Sequence, residues 1–563
     1  MKVVIVGGVA GGATAAARLR RLDESADITI YERSGFVSYA NCGLPYYIGG
    51  VITDREELTL QTPESFMERF RIKVRTAHEV LSIDPSSKCV RVRDLRAGRV
   101  FTESYDKLLL SPGATAVRPA LPGIDNEKIF TLRTVEDTFQ IYDFVERTQP
   151  GKAVIIGGGF IGIETAENLK KRGLEVTIIQ RPKQLMNTLD YDMASFIHSE
   201  VRKQGIALRL GCSVAGFAEE GDGLAVQIEG ERSEHADFVV LAIGVQPDSH
   251  LAKEAGLELG LRESIVVNDR METSDPDIYA VGDAVQVKHL VSGESTLIAL
   301  AGPANKQGRI AADNIAGGDS HFSGSMGSSI IKIFDLTAAG TGLSEKASQR
   351  AGIDFDSVVL SPASHASYYP GARAMTMKVV YERGTLRLLG AQIVGSDGVD
   401  KRIDVLATAI MAGLRADELK ELDLCYAPPY SSAKDPVNMA GFMIENIATG
   451  KLKQYHWNAV EKLPRDESVT LLDTRTVREY SRGHVDGYIN IPVDELRDRL
   501  SELDPSKPVY VMCQSGLRSY IACRILIQNG FDAYNFSGGY RFYSSVVKEI
   551  AASSETYPCG IEK

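Results

Sequence analysis

Two cysteines lie in local sequences that favour a reactive thiolate. Cys42 is followed by Gly43 and Pro45, a glycine and a proline that are typical of the start of a helix. Cys513 ends a short apolar run and is followed by a glycine and then by Arg518. Helix N-termini, inward-pointing backbone N–H groups and nearby cations all stabilise the thiolate, the nucleophilic form of cysteine. Because an isolated cysteine is more often a small buried hydrophobe, the elements around these two decide what they do.

A glycine loop near the start of the chain predicts a binding site for a dinucleotide. Residues 7–12 follow a predicted strand and open a helical pattern, and Glu32 ends the next predicted strand. Gly7 permits the tight turn, Gly12 permits close packing of helix on strand, and the helix N-terminus attracts a pyrophosphate. Glu32 stands where a carboxylate accepts a hydrogen bond from a ribose hydroxyl. Val9 occupies the usual position of the central glycine, so the pyrophosphate must approach slightly differently there.

A later segment points to a flavin at this first site. Residues 278–281 predict a strand that ends in Gly282 and Asp283. This pattern resembles the second FAD fingerprint of flavoproteins with two dinucleotide-binding domains, in which the aspartate binds the ribityl chain. Pro303 lies in the first turn of a predicted helix, whose N-terminus faces the flavin pyrimidine in such enzymes. We therefore expect FAD as a cofactor.

A second glycine loop predicts a site for a nicotinamide nucleotide. Gly157, Gly159 and Gly162 complete a G-x-G-x-x-G pattern between a predicted strand and helix, and Glu164 follows on that helix. The next predicted strand ends without an acidic residue, and Arg181 comes directly after it. A 2′-phosphate would not be repelled there and could pair with Arg181, so both NADH and NADPH stay open.

The elements that must position these residues belong to an α/β fold. Three apolar runs, at 3–6, 153–156 and 509–512, are each followed by a glycine or cysteine loop and then by a helical pattern. Such units are typical of layered α/β domains. The first two open units of similar length, which indicates two Rossmann-like dinucleotide-binding domains. A chain of 563 residues has room for three to four domains at about 150 residues each.

The composition excludes several classes of partner. The 63 Lys and Arg against 74 Asp and Glu give a net charge of −11, so no basic surplus is present to bind nucleic acid or an anionic membrane surface. No apolar run reaches the length of a membrane-spanning helix. The 7 cysteines are an odd, scattered set, unlike the framework of small secreted domains, and indicate a reducing, cytoplasmic setting. No metal site is predicted, and Cys559, near the end of the sequence, is expected to be accessible.

Four segments together resemble the coenzyme A-disulfide reductases, over roughly residues 1–447. They are residues 38–47, 361–371, 399–405 and 426–436. The resemblance implies that Cys42 is held as a mixed disulfide with CoA. Glutathione and lipoamide reductases carry a second cysteine five residues after the first, where this chain has Tyr47, so an internal redox disulfide is excluded. A single redox cysteine stores its oxidising equivalent as a sulfenic acid or as a mixed disulfide with an external thiol.

The same resemblance implies a set of CoA contacts. Ser38, Asn41 and Arg21 match residues that contact bound CoA in that family. Arg18 lies three residues before Arg21, so both side chains can share one helical face and meet the CoA phosphates. For Arg18 a solvated basic face is an equally good interpretation.

The resemblance also implies a pair of tyrosines. Tyr426 and Tyr368 match tyrosines from the dimerisation domain of the partner subunit that reach the redox sulfur. A phenol can supply the proton that a departing CoA thiolate needs, although a buried tyrosine is often only a packing residue. We therefore expect a homodimer.

The C-terminal part of the chain resembles a single rhodanese domain. Its active loop is the six-residue stretch 513–518, in which Gly516 allows the curl and Arg518 adds positive charge to stabilise a thiolate or persulfide at Cys513. Cys-dependent phosphatases carry a similar C-x5-R loop. This loop is one residue shorter and makes a smaller cradle, which suits sulfane sulfur better than phosphate. A silent rhodanese module is the other alternative, but the loop cysteine is present.

These features predict an FAD-dependent enzyme that uses NAD(P)H to reduce CoA disulfide, CoA persulfide or polysulfide, releasing CoA thiol and hydrogen sulfide. The fused domain would carry sulfane sulfur. One alternative is an NADH peroxidase or oxidase that uses a cysteine sulfenic acid, but the histidine of those relatives is replaced by Ala10. Another is a sulfurtransferase whose flavin part is a redox-sensing scaffold. The physiological sulfur substrate stays open.

The expected architecture is α/β, with two Rossmann-like domains, an α+β dimerisation domain and a C-terminal α/β rhodanese domain. The expected bounds are 1–120 with 245–322 for the FAD-binding domain, 121–244 for the NAD(P)H-binding domain, 323–447 for the dimerisation domain, 448–465 for a linker and 466–555 for the rhodanese domain.

Overall fold

A computed structural model describes residues 1–555, with side chains described as far as residue 552. Cys559 therefore lies outside the described residues. The chain forms two compact units, each considered by itself below. The first contains residues 1–183 and 205–327, and the second contains residues 184–204 and the chain from 328 onward.

The helices and strands are numbered here in chain order. Up to residue 150 they are β1 Lys2–Val6, α1 Ala10–Leu22, β2 Asp27–Glu32, α2 Leu44–Ile48, α3 Pro63–Phe70, β3 Lys73–Thr76, β4 His78–Asp84, β5 Cys89–Asp94, β6 Val100–Ser104, β7 Lys107–Leu110, β8 Ala114–Ala116, β9 Ile129–Thr131 and α4 Val135–Thr148. From 151 to 327 they are β10 Lys152–Ile156, α5 Phe160–Lys171, β11 Glu175–Gln180, α6 Tyr191–Lys203, β12 Ala207–Leu210, β13 Val214–Glu220, β14 Gly223–Ile228, β15 Glu234–Ala236, β16 Phe238–Leu241, β17 Val245–Pro247, α7 His250–Glu254, β18 Ile278–Ala280, β19 Val287–Lys288, β20 Ser295–Thr296 and α8 Ala301–Ile315. Beyond 327 they are β21 Ser329–Ile333, β22 Leu336–Gly342, α9 Glu345–Arg350, β23 Phe355–Leu360, β24 Thr376–Glu382, β25 Leu388–Gly395, α10 Val399–Met411, α11 Pro436–Ala448, β26 Lys453–Tyr455, α12 Trp457–Val460, β27 Thr470–Asp473, α13 Val477–Ser481, β28 Ile489–Asn490, β29 Val509–Met512, α14 Leu517–Gln528, β30 Ala533–Phe536 and α15 Gly539–Glu555.

The first unit is built on two parallel sheets of the same design. One has the strand order β18-β7-β1-β2-β3 and the other β12-β11-β10-β16-β9. Strands β1 and β10 are almost entirely buried and apolar, as central parallel strands must be when both faces are covered. Each is followed by a glycine loop and a helix, α1 or α5. The predicted pair of Rossmann-like domains is confirmed.

The second unit contains two further sheets. An antiparallel sheet of order β21-β22-β25-β24-β23 packs with α10 and α11 around a core of buried apolar side chains. A parallel sheet of order β26-β30-β29-β27-β28 packs with α14 around a second core. Strand β29 is central and delivers Cys513 at its carboxyl end, the edge where parallel α/β sheets bind ligands. The expected α/β class is thereby confirmed.

The segment predicted as a linker is partly structured. Strand β26 pairs with β30 and so adds an edge strand to the last sheet, and α12 follows it. The three residues of β26 are Lys453, Gln454 and the buried Tyr455, too few to give a strand pattern that would separate this segment from a linker. The other domain bounds stay predictions. Across the described part of the chain, no helix combines the length and the apolar character needed to span a membrane.

Candidate active sites

The first glycine loop leaves backbone donors available for an anion. Gly7 has φ +92°, and a Cβ at Gly12 would lie 2.0 Å from the Gly7 carbonyl oxygen, so the loop and the packing of α1 both require glycine. Helix α1 begins after Val9 without a side-chain cap from that residue, and although the Gly12 N–H donates to Ser111 Oγ at 3.1 Å, the N–H groups of Ala10 and Gly11 at the helix start can bind a ligand. The buried Glu32 carboxylate accepts the Gly8 N–H at 2.9 Å and so closes the turn.

The residues predicted to hold the flavin surround this loop. Asp283 follows β18, and its Oδ2 accepts from Arg133 at 2.8 Å. Burial raises the pKa of Asp283, and Arg133 opposes that rise. Helix α8 begins without a side-chain cap, has Pro303 in its first turn, and has open space beside Gly302, where a Cβ would meet no atom within 4 Å. An uncapped helix start beside open space and a half-buried carboxylate after β18 fit an FAD. Arg133 had no signal in the sequence.

The second glycine loop repeats the first with one chemical change. Gly157 has φ +112°, and a Cβ at Gly162 would lie 2.0 Å from the Gly157 carbonyl oxygen. Here the Gln180 side chain accepts the Gly158 N–H at 2.9 Å, the contact that Glu32 makes in the first loop. A neutral amide thus closes this turn, and no atom lies within 4 Å of a Cβ at Gly159, where a nucleotide has room. Arg181 is exposed beside it.

Cys42 lies in the turn Asn41–Gly43, directly before α2, and its side chain is exposed. Burial by the surrounding atoms and the Glu164 carboxylate raise the pKa of the Cys42 thiol, and Arg133 opposes them only in part. The described groups around Cys42 therefore raise the pKa of its thiol, while the stabilisation of the thiolate expected at a helix N-terminus beside a flavin stays a prediction. The sequence did not show that Glu164 would stand close to Cys42, and α2, with 5 residues, is a single short turn of helix.

Glu164 is itself an unusual acid. It accepts a hydrogen bond from the Tyr46 hydroxyl at 3.2 Å, and burial raises the pKa of Glu164 to about 7. Its charge therefore changes in the physiological range, close enough to Cys42 to raise the pKa of that thiol. Tyr47, where related reductases have their second cysteine, is buried against Tyr142 with ring centroids 4.9 Å apart.

The residues predicted to contact CoA differ in whether their side chains are exposed or already paired within the protein. The Ser38 N–H donates to the Gly8 carbonyl at 2.8 Å, which ties the cysteine segment to the first glycine loop. Arg21 is exposed at the end of α1. Arg18 instead donates to Asp313 at 2.6 Å, so its charge is already balanced within the protein. The structure thus favours Arg21 over Arg18 as a site for phosphate.

In the second unit, the two predicted tyrosines meet. The hydroxyls of Tyr368 and Tyr426 are 2.8 Å apart, and the two side chains are 74% and 47% exposed. They belong to different loops, one before β24 and one before α11. The hydrogen bond with Tyr426 raises the pKa of Tyr368. The sequence placed both residues in one site from family resemblance alone, and the structure brings them together.

The last sheet carries a loop that surrounds Cys513. The thiol is fully buried, and its Sγ accepts hydrogen bonds from the Gly516 N–H at 3.1 Å and from the Ser519 hydroxyl at 3.2 Å. Gly516 has φ +101°, as the curl requires. The residues after β30 support the loop, since the Tyr540 N–H donates to the Cys513 carbonyl at 2.7 Å. Ser519 carries no prediction from the sequence, although its position in the first turn of the helix after such a loop is an available signal.

Arg518 is held by an acid. Its two terminal nitrogens donate to the two carboxylate oxygens of Glu479, both at 2.7 Å, which joins α14 to α13. Arg518 lowers the pKa of Glu479 to about 2. The positive charge predicted for the loop is therefore balanced by Glu479. The ion pair between Arg518 and Glu479 holds α14 against α13.

Three parts of the chain match known families. Residues 1–308 match the pyridine nucleotide-disulphide oxidoreductase family, and residues 328–436 match the dimerisation domain described for that family. Residues 457–545 match the rhodanese-like domain.

Individual relatives cover one part or nearly all of the chain. A coenzyme A disulfide reductase of Staphylococcus aureus is 39% identical over 442 residues, which are 78% of this chain and 99% of that protein. The crystal structure of reduced Bacillus anthracis CoADR-RHD is similar with a TM-score of 0.95 and 45% identity, covering 97% of this chain and 98% of that one. An NAD-dependent persulfide reductase from A. fulgidus has a TM-score of 0.90 and 38% identity, covering 96% and 100%.

Proposed function

The chain belongs to the pyridine nucleotide-disulphide oxidoreductase family, and from that membership we propose an NAD(P)H- and FAD-dependent reductase of CoA disulfide and CoA persulfide. One observation carries the proposal. Cys42 is a free, exposed cysteine, and buried Tyr47 occupies the place of the second redox cysteine. The disulfide partner of Cys42 must therefore come from the substrate, and a coenzyme A disulfide reductase and a persulfide reductase are among its relatives.

The covalent step uses Cys42 as the nucleophile. The Cys42 thiolate attacks one sulfur of CoA disulfide, forms a Cys42–CoA mixed disulfide and releases a CoA thiolate. With CoA persulfide the same attack on the CoA sulfur releases hydrosulfide. Two electrons from one NAD(P)H then break the mixed disulfide and return Cys42 and the second CoA as thiolates, and protonation completes the turnover.

The tyrosine pair supplies protons for the departing thiolates. Tyr368 and Tyr426 are exposed and share a hydrogen bond, so one phenol can donate while the other stabilises the oxygen left behind. The matched dimerisation domain supports a homodimer in which Tyr426 of the partner subunit serves each Cys42.

The first unit holds the two cofactors. The glycine loops before α1 and α5, Asp283 and the start of α8 are the groups that bind them, and FAD supplies the two-electron chemistry that links the nicotinamide to the cysteine. Gln180 leaves either NADH or NADPH acceptable, with Arg181 available to a 2′-phosphate. Ser38, Asn41 and Arg21 are the contacts proposed for CoA.

The C-terminal domain feeds sulfur to this reaction. Cys513 takes a sulfane sulfur from a donor as a persulfide, which the Gly516 and Ser519 donors stabilise. A CoA thiolate then accepts that sulfur and leaves as CoA persulfide, the substrate of Cys42. The net transfer involves no redox change. Free thiols and CoA suit the reducing cytoplasm, where we place the protein.

Replacement of Cys42 tests the proposal. Cys42→Ser should retain bound FAD and NAD(P)H binding but lose turnover of CoA disulfide and CoA persulfide, because a hydroxyl cannot form the mixed disulfide. Cys89→Ser, which changes a partly exposed thiol of the same unit, is the matched control and should retain activity. Substantial CoA disulfide turnover in Cys42→Ser would disprove the proposal, and turnover of hydrogen peroxide alone by the wild type would replace it with a peroxidase.

A further inference from the structure

A fully buried arginine bonds to the two loops that carry the tyrosine pair. Arg402, in α10, is 1% exposed. A buried guanidinium is stable only when its donors are paired. Its acceptors are the Gly398 carbonyl at 3.1 Å, the Ser364 carbonyl at 2.9 Å, the Tyr430 carbonyl at 3.3 Å, the Ser431 hydroxyl at 3.2 Å and Asp435 Oδ2 at 3.0 and 3.2 Å.

Apart from the Gly398 carbonyl, which directly precedes α10, these acceptors belong to the two loops that carry the tyrosines. Ser364 lies four residues before Tyr368, and Tyr430 lies four residues after Tyr426. The loops also bond directly, since the Ala366 N–H donates to the Ser431 carbonyl at 3.0 Å. One guanidinium therefore fixes the backbone of both loops at the same point.

Asp435 anchors this guanidinium to a rigid element. Its Oδ1 accepts the Val437 N–H at 3.0 Å as the N-cap of α11, and its Oδ2 accepts from Arg402 and from the Ser431 hydroxyl, the latter at 2.6 Å. The carboxylate is 3% exposed. The position of Arg402 is thus set by two helices, α10 and α11.

The tyrosine hydroxyls need such an anchor. An exposed hydrogen bond between two neutral groups contributes little net stability, and an ordered exposed side chain loses rotamer entropy of comparable size. The 2.8 Å contact between Tyr368 and Tyr426 therefore cannot hold two loops in register by itself. The hydrogen bonds of Arg402 and Asp435 can hold the two loops in place, because both side chains are charged and shielded from water.

We propose that Arg402, held by Asp435, is the positioning residue that sets the Tyr368–Tyr426 contact for proton donation. Arg402 does not touch the reacting sulfur and acts through the two loops. This inference rests on the proposed function for the role of the tyrosines, but the geometry it predicts can be measured without turnover.

The test compares Arg402→Lys with a matched control in the full-length holoenzyme. Lysine keeps the charge but cannot bond both loops and Asp435 at once. Arg415→Lys is the control, because Arg415 forms an exposed pair with Asp417 in the same domain. In Arg402→Lys, turnover of CoA disulfide should fall roughly tenfold, the scale of partial loss of a proton donor. Reduction of ferricyanide by NAD(P)H, which needs no tyrosine, should not change, and Arg415→Lys should match the wild type in both assays.

Tyrosine titration gives a readout that does not depend on activity. In protein with 13C-labelled tyrosine ring carbons, the pKa of Tyr368 should lie above its ordinary value in the wild type, because Tyr426 hydrogen-bonds to it. It should return toward that value in Arg402→Lys. The Tyr368 signal is assigned with Tyr368→Phe. If Arg402→Lys does not fold, Asp435→Asn, whose amide oxygen can still cap α11, should show the same shift.

The outcomes separate this inference from the proposed function. An unchanged Tyr368 titration in folded Arg402→Lys or Asp435→Asn would overturn the positioning role. A shifted titration with normal CoA disulfide turnover in Tyr426→Phe would uphold the positioning and reject the tyrosines as proton donors. Loss of turnover in Tyr426→Phe, with no further loss when Arg402→Lys is added, would support both.

Discussion

The Ser519 hydroxyl donates to Cys513 Sγ at 3.2 Å from a site with no solvent exposure. With the Gly516 N–H at 3.1 Å, it forms the donor set that the loop directs at the sulfur. Because Arg518 is paired with Glu479, the two hydrogen bonds described to Cys513 Sγ come from neutral donors.

Ser519→Ala should slow sulfur transfer from thiosulfate by roughly tenfold, since a hydrogen bond to a charged group contributes about 1.5–3 kcal/mol. The measurement is the steady-state rate of sulfur transfer to cyanide by the full-length protein. Ser515→Ala changes a hydroxyl in the same loop that makes no described bond to Cys513, and it should retain the wild-type rate. Equal losses in the two variants would mean that the loop, and not the Ser519 bond, was disturbed.

Cys513→Ser should separate the two half-reactions. Reduction of added CoA disulfide or CoA persulfide should be nearly unchanged, while NAD(P)H oxidation driven by thiosulfate or polysulfide in the presence of CoA should fall sharply. Both are followed as NAD(P)H oxidation at saturating NAD(P)H, so that the sulfur step limits the rate. Equal loss with both substrate types would place Cys513 in the chemistry of Cys42, and no loss with either would make the C-terminal domain a passive appendage.

Glu164→Gln should increase the reactivity of Cys42 in a pH-dependent manner. The Glu164 carboxylate raises the pKa of Cys42, and the pKa of Glu164 is about 7, so the carboxylate is charged mainly above that pH. Alkylation of Cys42 by iodoacetamide, measured in a Cys513→Ser background, should therefore be faster in the variant above pH 7. The two proteins should converge below about pH 6. A constant ratio of rates across this range would contradict the assignment.

The same carboxyl affects stability with a definite sign. Its folded pKa, about 7, lies above the ordinary value of 4.5, because burial disfavours the charge. The contribution of Glu164 to the free energy of unfolding is fully present below pH 4.5, and it is lost as the pH rises through 7. The free energy of unfolding of Glu164→Gln should therefore fall less between pH 5 and 8 than that of the wild type, as measured by urea denaturation. A larger fall in the variant would reverse the sign and reject the raised pKa.

Arg181→Ala should discriminate between the two nicotinamide nucleotides. Loss of a pairing with the 2′-phosphate should raise the KM for NADPH roughly tenfold and leave the KM for NADH unchanged. Initial rates with each nucleotide at fixed CoA disulfide give both values. An equal change in the KM for NADPH and for NADH, or no change in either, would show that Arg181 does not contact the 2′-phosphate.

The sequence predicts repeated local patterns well and contacts between distant segments poorly. The strand–glycine–helix units around Gly7 and Gly157 follow from backbone geometry that is written in adjacent residues. The approach of Glu164 to Cys42 joins residues more than a hundred positions apart and raises the pKa of the thiol, an effect that no local pattern predicts. The same holds for the pairing of Arg133 with Asp283, for which no spacing gives a signal. Arg402 lies in a segment that resembles the coenzyme A-disulfide reductases, but its bonds to two loops join residues that are distant in sequence and could not be predicted from it.

Intact mass under non-reducing conditions tests the central claim most directly. After holoenzyme whose Cys42 has first been reduced to the thiol is treated with excess CoA disulfide and desalted, each chain should gain the mass of one CoA moiety at Cys42. The added mass should disappear on treatment with dithiothreitol, should be absent from Cys42→Ser, and should still form in Cys89→Ser. A chain that stays unmodified, or an adduct that persists in Cys42→Ser, would contradict the assignment of Cys42 as the residue that forms the mixed disulfide with CoA.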